Sequence, residues 1–186
     1  MIYRIHPNVK EYLHFLVSAD EVEAKLGEGC RFHLEKKPKS YLDTWKPLEV
    51  EFFNNYDSKP KPQPDISVWN GRLYLSEKAY KVLAEALDGG SEVLPVTCGR
   101  ERGYLVNVLN SADTVDAINS RLTVRNEWNE LVSLGFDDGK VSDFALFRTK
   151  QDSYRGIYCS EKVKDLIESS DLSGVVFAVD LADMPA

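Results

Sequence analysis

The clearest hydrophobic pattern in this chain occurs twice. Residues 72–96 read RLYLSEKAYKVLAEALDGGSEVLPV, and residues 156–179 read GIYCSEKVKDLIESSDLSGVVFAV. Each copy opens on a short apolar run and reaches Ser-Glu-Lys, at 76–78 and at 160–162, an offset of 84 residues. Ser76 and Ser160 stand where a helix N-cap belongs, with a hydroxyl able to accept from an orphan backbone N–H. Glu77 and Glu161 then face the positive end of the helix dipole. Ala79, Val82, Leu83 and Ala86 recur at helical spacing in the first copy, as do Val163, Leu166 and Ile167 in the second. Gly89-Gly90 ends one helix, and Gly174 follows the other after a polar connection. Each copy closes on a strand-like run, 92–96 or 175–179. The pattern predicts strand, capped helix, strand, and its polar residues are explained by caps and solvent.

Elsewhere the apolar runs are short and strand-like. Residues 2–6, 31–34 and 48–53 are candidate strands, the last with period-two alternation around Glu49 and Glu51, and 12–17 is apolar enough for a strand or a buried connection. Ser18-Ala19-Asp20-Glu21 fits a capping box that opens a short helix stopped by Gly27. Asn70-Gly71 between two apolar runs predicts a tight hairpin. The loop 98–103 (CGRERG) reads as a second hairpin turn, because it runs into the strand-like 104–109 rather than into a helix that could cradle phosphate. Pro60, Pro62 and Pro64 favour an extended, solvated connector over 58–65. These elements predict an α+β fold, mainly antiparallel sheet with a few capped helices, built around a repeated strand–helix–strand unit. The expected organisation is an N-terminal attachment over 1–64 packed on a main domain over 65–186, or one domain over 1–186.

Composition narrows the chemistry. The chain has 186 residues, 43% hydrophobic and 11% aromatic, enough for a core without metal or disulfide. Its net charge of −7 disfavours nucleic acid and suits a basic partner. Cys30, Cys98 and Cys159 are widely spaced with no CxxC pair, which argues against a zinc site and a disulfide framework. No secretory leader or membrane-length apolar run is evident, so the expected location is cytoplasmic. His6, His14 and His33 lack metal-ligand spacing, and there is no nucleophile elbow, P-loop or dinucleotide fingerprint. Asp113 and Asp116 stand three apart, as some acid–base or magnesium sites require, but local turns and caps use such aspartates more often. Cys159 lies in an apolar strand pattern and reads as a small buried hydrophobe. The expectation is a protein with no catalytic residue, no cofactor and no metal.

Several segments, in order, resemble a known family. They are Trp45-Lys-Pro-Leu-Glu-Val50, Asp65, Leu75-Ser-Glu-Lys-Ala79, Glu92-Val-Leu-Pro-Val96, Tyr104-Leu-Val-Asn-Val108, Asp113-x-x-Asp116 with Ser120, Phe144-Ala-Leu-Phe-Arg148, Cys159-Ser-Glu-Lys-Val163 and Leu172-Ser-Gly-Val-Val-Phe177. Across 41–179 the set is similar to the eleventh numbered family of bacterial immunity proteins from polymorphic toxin systems. The resemblance implies an antitoxin that binds and neutralises one cognate toxin domain without chemistry of its own. It assigns no binding residues.

Candidate partner contacts come instead from residue type and expected exposure. They are Trp69 and Trp128 as aromatic anchors, with Asp137, Asp138, Asp171, Asp180 and Asp183 as carboxylates on turns and in the tail. An ordinary solvated surface is the plainer account of each carboxylate. Two other readings stay open: a small enzyme whose site assembles around Asp113, Asp116 and a histidine, and a peptide-binding regulatory module. Oligomeric state is open at this point.

Overall fold

The computed structural model describes residues 1–54, 59–87 and 89–182. In chain order the elements are β1 (Ile2–Pro7), β2 (His14–Leu16), α1 (Ala19–Leu26), β3 (Leu48–Glu49), β4 (Glu51–Phe53), β5 (Ile66–Trp69), β6 (Arg72–Ser76), α2 (Glu77–Leu83), β7 (Ser91–Cys98) and β8 (Glu101–Val108). They continue with β9 (Val124–Arg125), β10 (Leu131–Ser133), β11 (Leu146–Phe147), β12 (Ile157–Ser160), α3 (Glu161–Ser169) and β13 (Val175–Ala178). The class is α+β and mostly sheet, as the pattern predicts.

Two sheets carry the architecture, ordered β3-β7-β8-β6-β5 and β11-β12-β1-β13. In the first, α2 connects β6 to β7, and β8 lies antiparallel between them. In the second, α3 connects β12 to β13, and β1 lies antiparallel between those. Each unit also carries a preceding antiparallel neighbour, β5 beside β6 and β11 beside β12. Register makes the equivalence close. Tyr74 pairs with Leu105, which pairs with Leu94; Tyr158 pairs with Arg4, which pairs with Ala178. Both flanking strands therefore keep the 84-residue offset of the Ser-Glu-Lys motifs. The middle strand breaks the sequence repeat: one unit takes it from the following β8, the other from the chain's beginning.

Side-chain alternation then builds three cores. Leu73, Leu75, Val106, Ile157 and Cys159 point inward with Ala79, Leu83, Val163 and Ile167 of the helices, forming the central core. Tyr74, Leu94 and Leu105 point to the outer face of the five-stranded sheet, where Phe15, Val22, Phe32 and Leu48 of the N-terminal arm cover them. Ile2, Phe147 and Tyr158 point to the outer face of the four-stranded sheet. There the cover is Ala117, Leu134, Phe136 and Val141, from the segment between β8 and β11.

Local details follow the sequence with four corrections. Asn70 and Gly71 both take positive φ, 48° and 70°, as a two-residue hairpin turn requires. Gly99 (φ 58°) turns β7 into β8. Ser76 caps α2 by accepting from Ala79 N–H at 3.2 Å. Ser160 makes no such bond; the Glu161 N–H donates to the Met1 carbonyl instead. Ser18 accepts from Glu21 N–H, but the Glu21 carboxylate reaches Glu49 N–H rather than its own cap. Residues 31–34 form turns, not a strand, because their carbonyls serve other partners. The 48–53 run splits at Val50: β3 joins β7 in parallel, while β4 pairs with β2.

The irregular 33–41 stretch is bonded by both units. Arg72, from the first unit, donates to the Glu35 carbonyl at 2.9 Å, and Arg148, from the second, donates to the Lys36 carbonyl at 2.7 Å. Glu92 accepts from Tyr41 N–H and Asn107 Nδ2 and is also bonded by Ser40. Burial lowers the pKa of both guanidiniums to about 10, helped at Arg148 by the like charge of Arg72. Both stay charged at neutral pH, held by carbonyl dipoles and, for Arg72, by the Phe32 ring 4.0 Å away.

Candidate functional site

The segment between β8 and β11 differs from the rest in charge. Residues 113–143 hold seven carboxylates (Asp113, Asp116, Glu127, Glu130, Asp137, Asp138, Asp143) against three cations (Arg121, Arg125, Lys140). That is −4 of the total −7, whereas residues 1–112 hold sixteen carboxylates against fifteen cations. The segment covers the outer face of the four-stranded sheet with its few buried residues and turns the remainder to water.

Much of its exposed surface lies on the β9–β10 hairpin. Trp128 is 73% exposed at its tip, with Val124, Val132 and Leu122 exposed along its flanks. The tip is nonetheless ordered. Asn126 Oδ1 accepts from Trp128 N–H at 3.0 Å and Glu130 N–H at 2.8 Å, and its Nδ2 donates to the Glu130 carboxylate at 2.7 Å. Asn129 takes φ 63°, which its short polar side chain tolerates. Arg125 fixes the base, donating to the Asn129 carbonyl at 2.9 Å and the Gln151 carbonyl at 2.7 Å. The exposed indole is thus carried on a turn held by hydrogen bonds.

The remaining candidates are scattered. Asp137 accepts from Asn119 at 3.0 Å and lies 3.6 Å from Lys140; Asp138 lies 3.7 Å from the amino terminus. Both belong to the same acidic segment as Trp128. Asp180 is exposed near the C-terminal end of the described chain, where its carboxylate accepts from Ala182 N–H. Its neighbour Leu181 packs on the same outer core, and the Leu181 carbonyl accepts from Arg4 and Tyr158. Asp171 lies elsewhere, after α3 with φ 50°, its carbonyl accepting from Lys78. Trp69 is half-buried in the other unit, edge-to-face with Phe15. Asp183 falls outside the described residues. Sequence reading passed over Glu127 and Glu130, because only the fold shows that they and the neighbouring Trp128 are all exposed. Val124, Val132 and Leu122 were hidden for a different reason: an apolar residue in sequence reads as core.

The groups considered for catalysis are engaged locally. Asp113 accepts from Ser111, Thr149 and Lys150 N–H, stapling its own turn to the end of β11. Asp116 is solvent-facing with Lys140 3.7 Å away. His14 packs on Phe53, and burial lowers its pKa. Burial pushes the Cys159 thiol up to about 12, so it rests as a buried hydrophobe. Among the described residues no group of three or more His, Cys, Asp or Glu could hold a metal ion, and no helix is long and apolar enough to cross a membrane.

Asp65 joins the units. It accepts from Ser76 Oγ, Lys78, Ser173 N–H and Ser173 Oγ at 3.0–3.3 Å. Burial alone would raise its pKa, but these donors outweigh it and hold the carboxyl below its ordinary value.

A family model described as Immunity protein family (Imm11) matches residues 2–180. No curated protein matches the chain.

Proposed function

Since the chain belongs to the Imm11 family of immunity proteins, we propose that it is the cytoplasmic, non-enzymatic antitoxin of a polymorphic toxin system, binding and neutralising one cognate toxin domain. The observation that carries the reading of its surface is the coincidence, in residues 113–143, of most of the net charge with the exposed Trp128. A partner of opposite charge is drawn in by long-range attraction, while a buried aromatic supplies the slow dissociation that inhibition needs. The toxin surface is therefore basic. Trp128, Asp137 and Asp138 form the centre of contact, and Asp180 extends it; Asp183, a carboxylate of the same acidic end, lies outside the described residues. Trp69 and Asp171 stand apart from this face and support it least.

The test is capture of tagged protein with its partners from host lysate at low salt, followed by elution in rising salt. Recovery of a protein with a toxic domain that this chain silences in a growth assay supports the reading. Failure to bind or silence any toxin domain expressed by the same host overturns it.

A further inference from the structure

Resting on that reading, we infer that the turn from Asn126 to Glu130 acts as a preformed wedge that enters a concave, cation-lined cleft of the toxin, the entrance used by an anionic substrate. Three observations lead there. First, Trp128 projects from a hairpin whose neighbours Arg125, Glu127, Asn129 and Glu130 are all exposed, so the indole stands clear of the fold. A flat partner would cover one face of such a ring; only a pocket removes most of its surface from water. Second, Glu127 and Glu130 flank the indole within the same turn, so the rim receiving it must supply cations to offset their desolvation. Third, the tip is braced by the Asn126 bonds and tied through Arg125 to the 150–152 turn, so it meets its receptor without prior ordering. A basic concavity that accepts an aromatic ring between two carboxylates has the chemistry of a site for an anionic, ring-bearing polymer. Occupying it would neutralise the toxin by competition.

The experiment uses the full chain and the toxin domain captured above, inactivated at its own catalytic residue, in stopped-flow and equilibrium binding. Trp128→Ala is expected to weaken binding by about 30-fold or more, mainly through faster dissociation. Glu127→Gln with Glu130→Gln is expected to slow association and flatten its dependence on ionic strength, leaving dissociation less changed. Heparin, used as a polyanion probe, is expected to exclude this protein from the toxin. Circular dichroism of each variant checks that the fold is retained. A complex whose affinity is indifferent to Trp128→Ala, or a ternary complex with heparin, overturns the wedge while leaving the immunity reading intact. Absence of any complex with the unmodified chain would instead remove the immunity reading itself.

Discussion

The two strand–helix–strand units share topology, an 84-residue offset and a buried tyrosine at the same register, Tyr74 and Tyr158, yet they are finished differently. The first is preceded by the proline-bearing connector 58–65 and covered by an N-terminal arm close to electroneutral. The second is preceded by the long segment 109–145, which covers its outer face and carries most of the net charge. What the units share is what a sheet with one crossover helix needs for packing. The strand–helix–strand topology does not require a solvent-facing hairpin with an exposed tryptophan, so the place to look for recognition is where the units differ.

They differ inside as well. Where Leu105 fills the middle strand of the first unit, the second has Arg4, buried 3.4 Å from the equally buried Asp152. Asp152 also accepts from Gly156 N–H and Tyr158 hydroxyl, both at 2.8 Å. The largest expected effect follows from breaking this pair. Arg4→Leu, which copies the first unit, leaves a buried carboxylate without its cation and should cost about 3–5 kcal/mol in urea unfolding. Combining it with Asp152→Asn should recover part of that loss, because the amide still accepts from Gly156 and Tyr158 without a charge to desolvate. Equal losses for the single and double variants would mean that the pair's charge contributes little.

The helix caps give a smaller contrast. Ser76→Ala removes the α2 cap and a bond to Asp65 and should cost about 1–2 kcal/mol. Ser160→Ala removes no side-chain cap and should stay within about 0.5 kcal/mol. Equal costs would show that the caps are equivalent despite their geometry.

Acid unfolding sharpens the comparison at the join. Asp65 has a folded pKa below its unfolded value of about 3.9. Its contribution is therefore fully present above that value and is lost as pH falls through the folded pKa. Glu92, whose burial is outweighed by donors from Ser40, Tyr41 and Asn107, behaves in the same sense. Asp65→Asn should lower stability at pH 7 and make the curve below about pH 4 less steep. An acid limb unchanged by the substitution would place the linkage elsewhere. The smallest expected effect is on the fold of Trp128→Ala, within about 0.5 kcal/mol, since the side chain is mostly in water.

Much of the scaffold was legible in the chain. Ser-Glu-Lys motifs, Asn70-Gly71 and the apolar alternation act through neighbours in sequence, so their consequences could be read locally. The fourfold correspondence of the sheets could not, because β1 completes the second unit from more than 140 residues away. The 31–34 run reads as a strand in sequence but turns in the fold, where the Arg31 carbonyl accepts from the Leu34 and Glu35 N–H groups and the His33 carbonyl from the distant Asn70 side chain. Of the candidate contacts, Trp128 and Trp69 looked alike in sequence. Folding places one at a hairpin tip and packs the other on Phe15, a distinction that depends on tertiary contacts alone.

We propose that recognition lies on the segment that distinguishes the second unit. Hydrogen–deuterium exchange of this protein, free and in complex with its toxin domain, tests it directly. New protection is expected to concentrate in residues 113–143 and to be strongest around 124–132, with the N-terminal arm over 14–53 unchanged. Protection confined to that arm, with the hairpin exchanging as in the free protein, would contradict it.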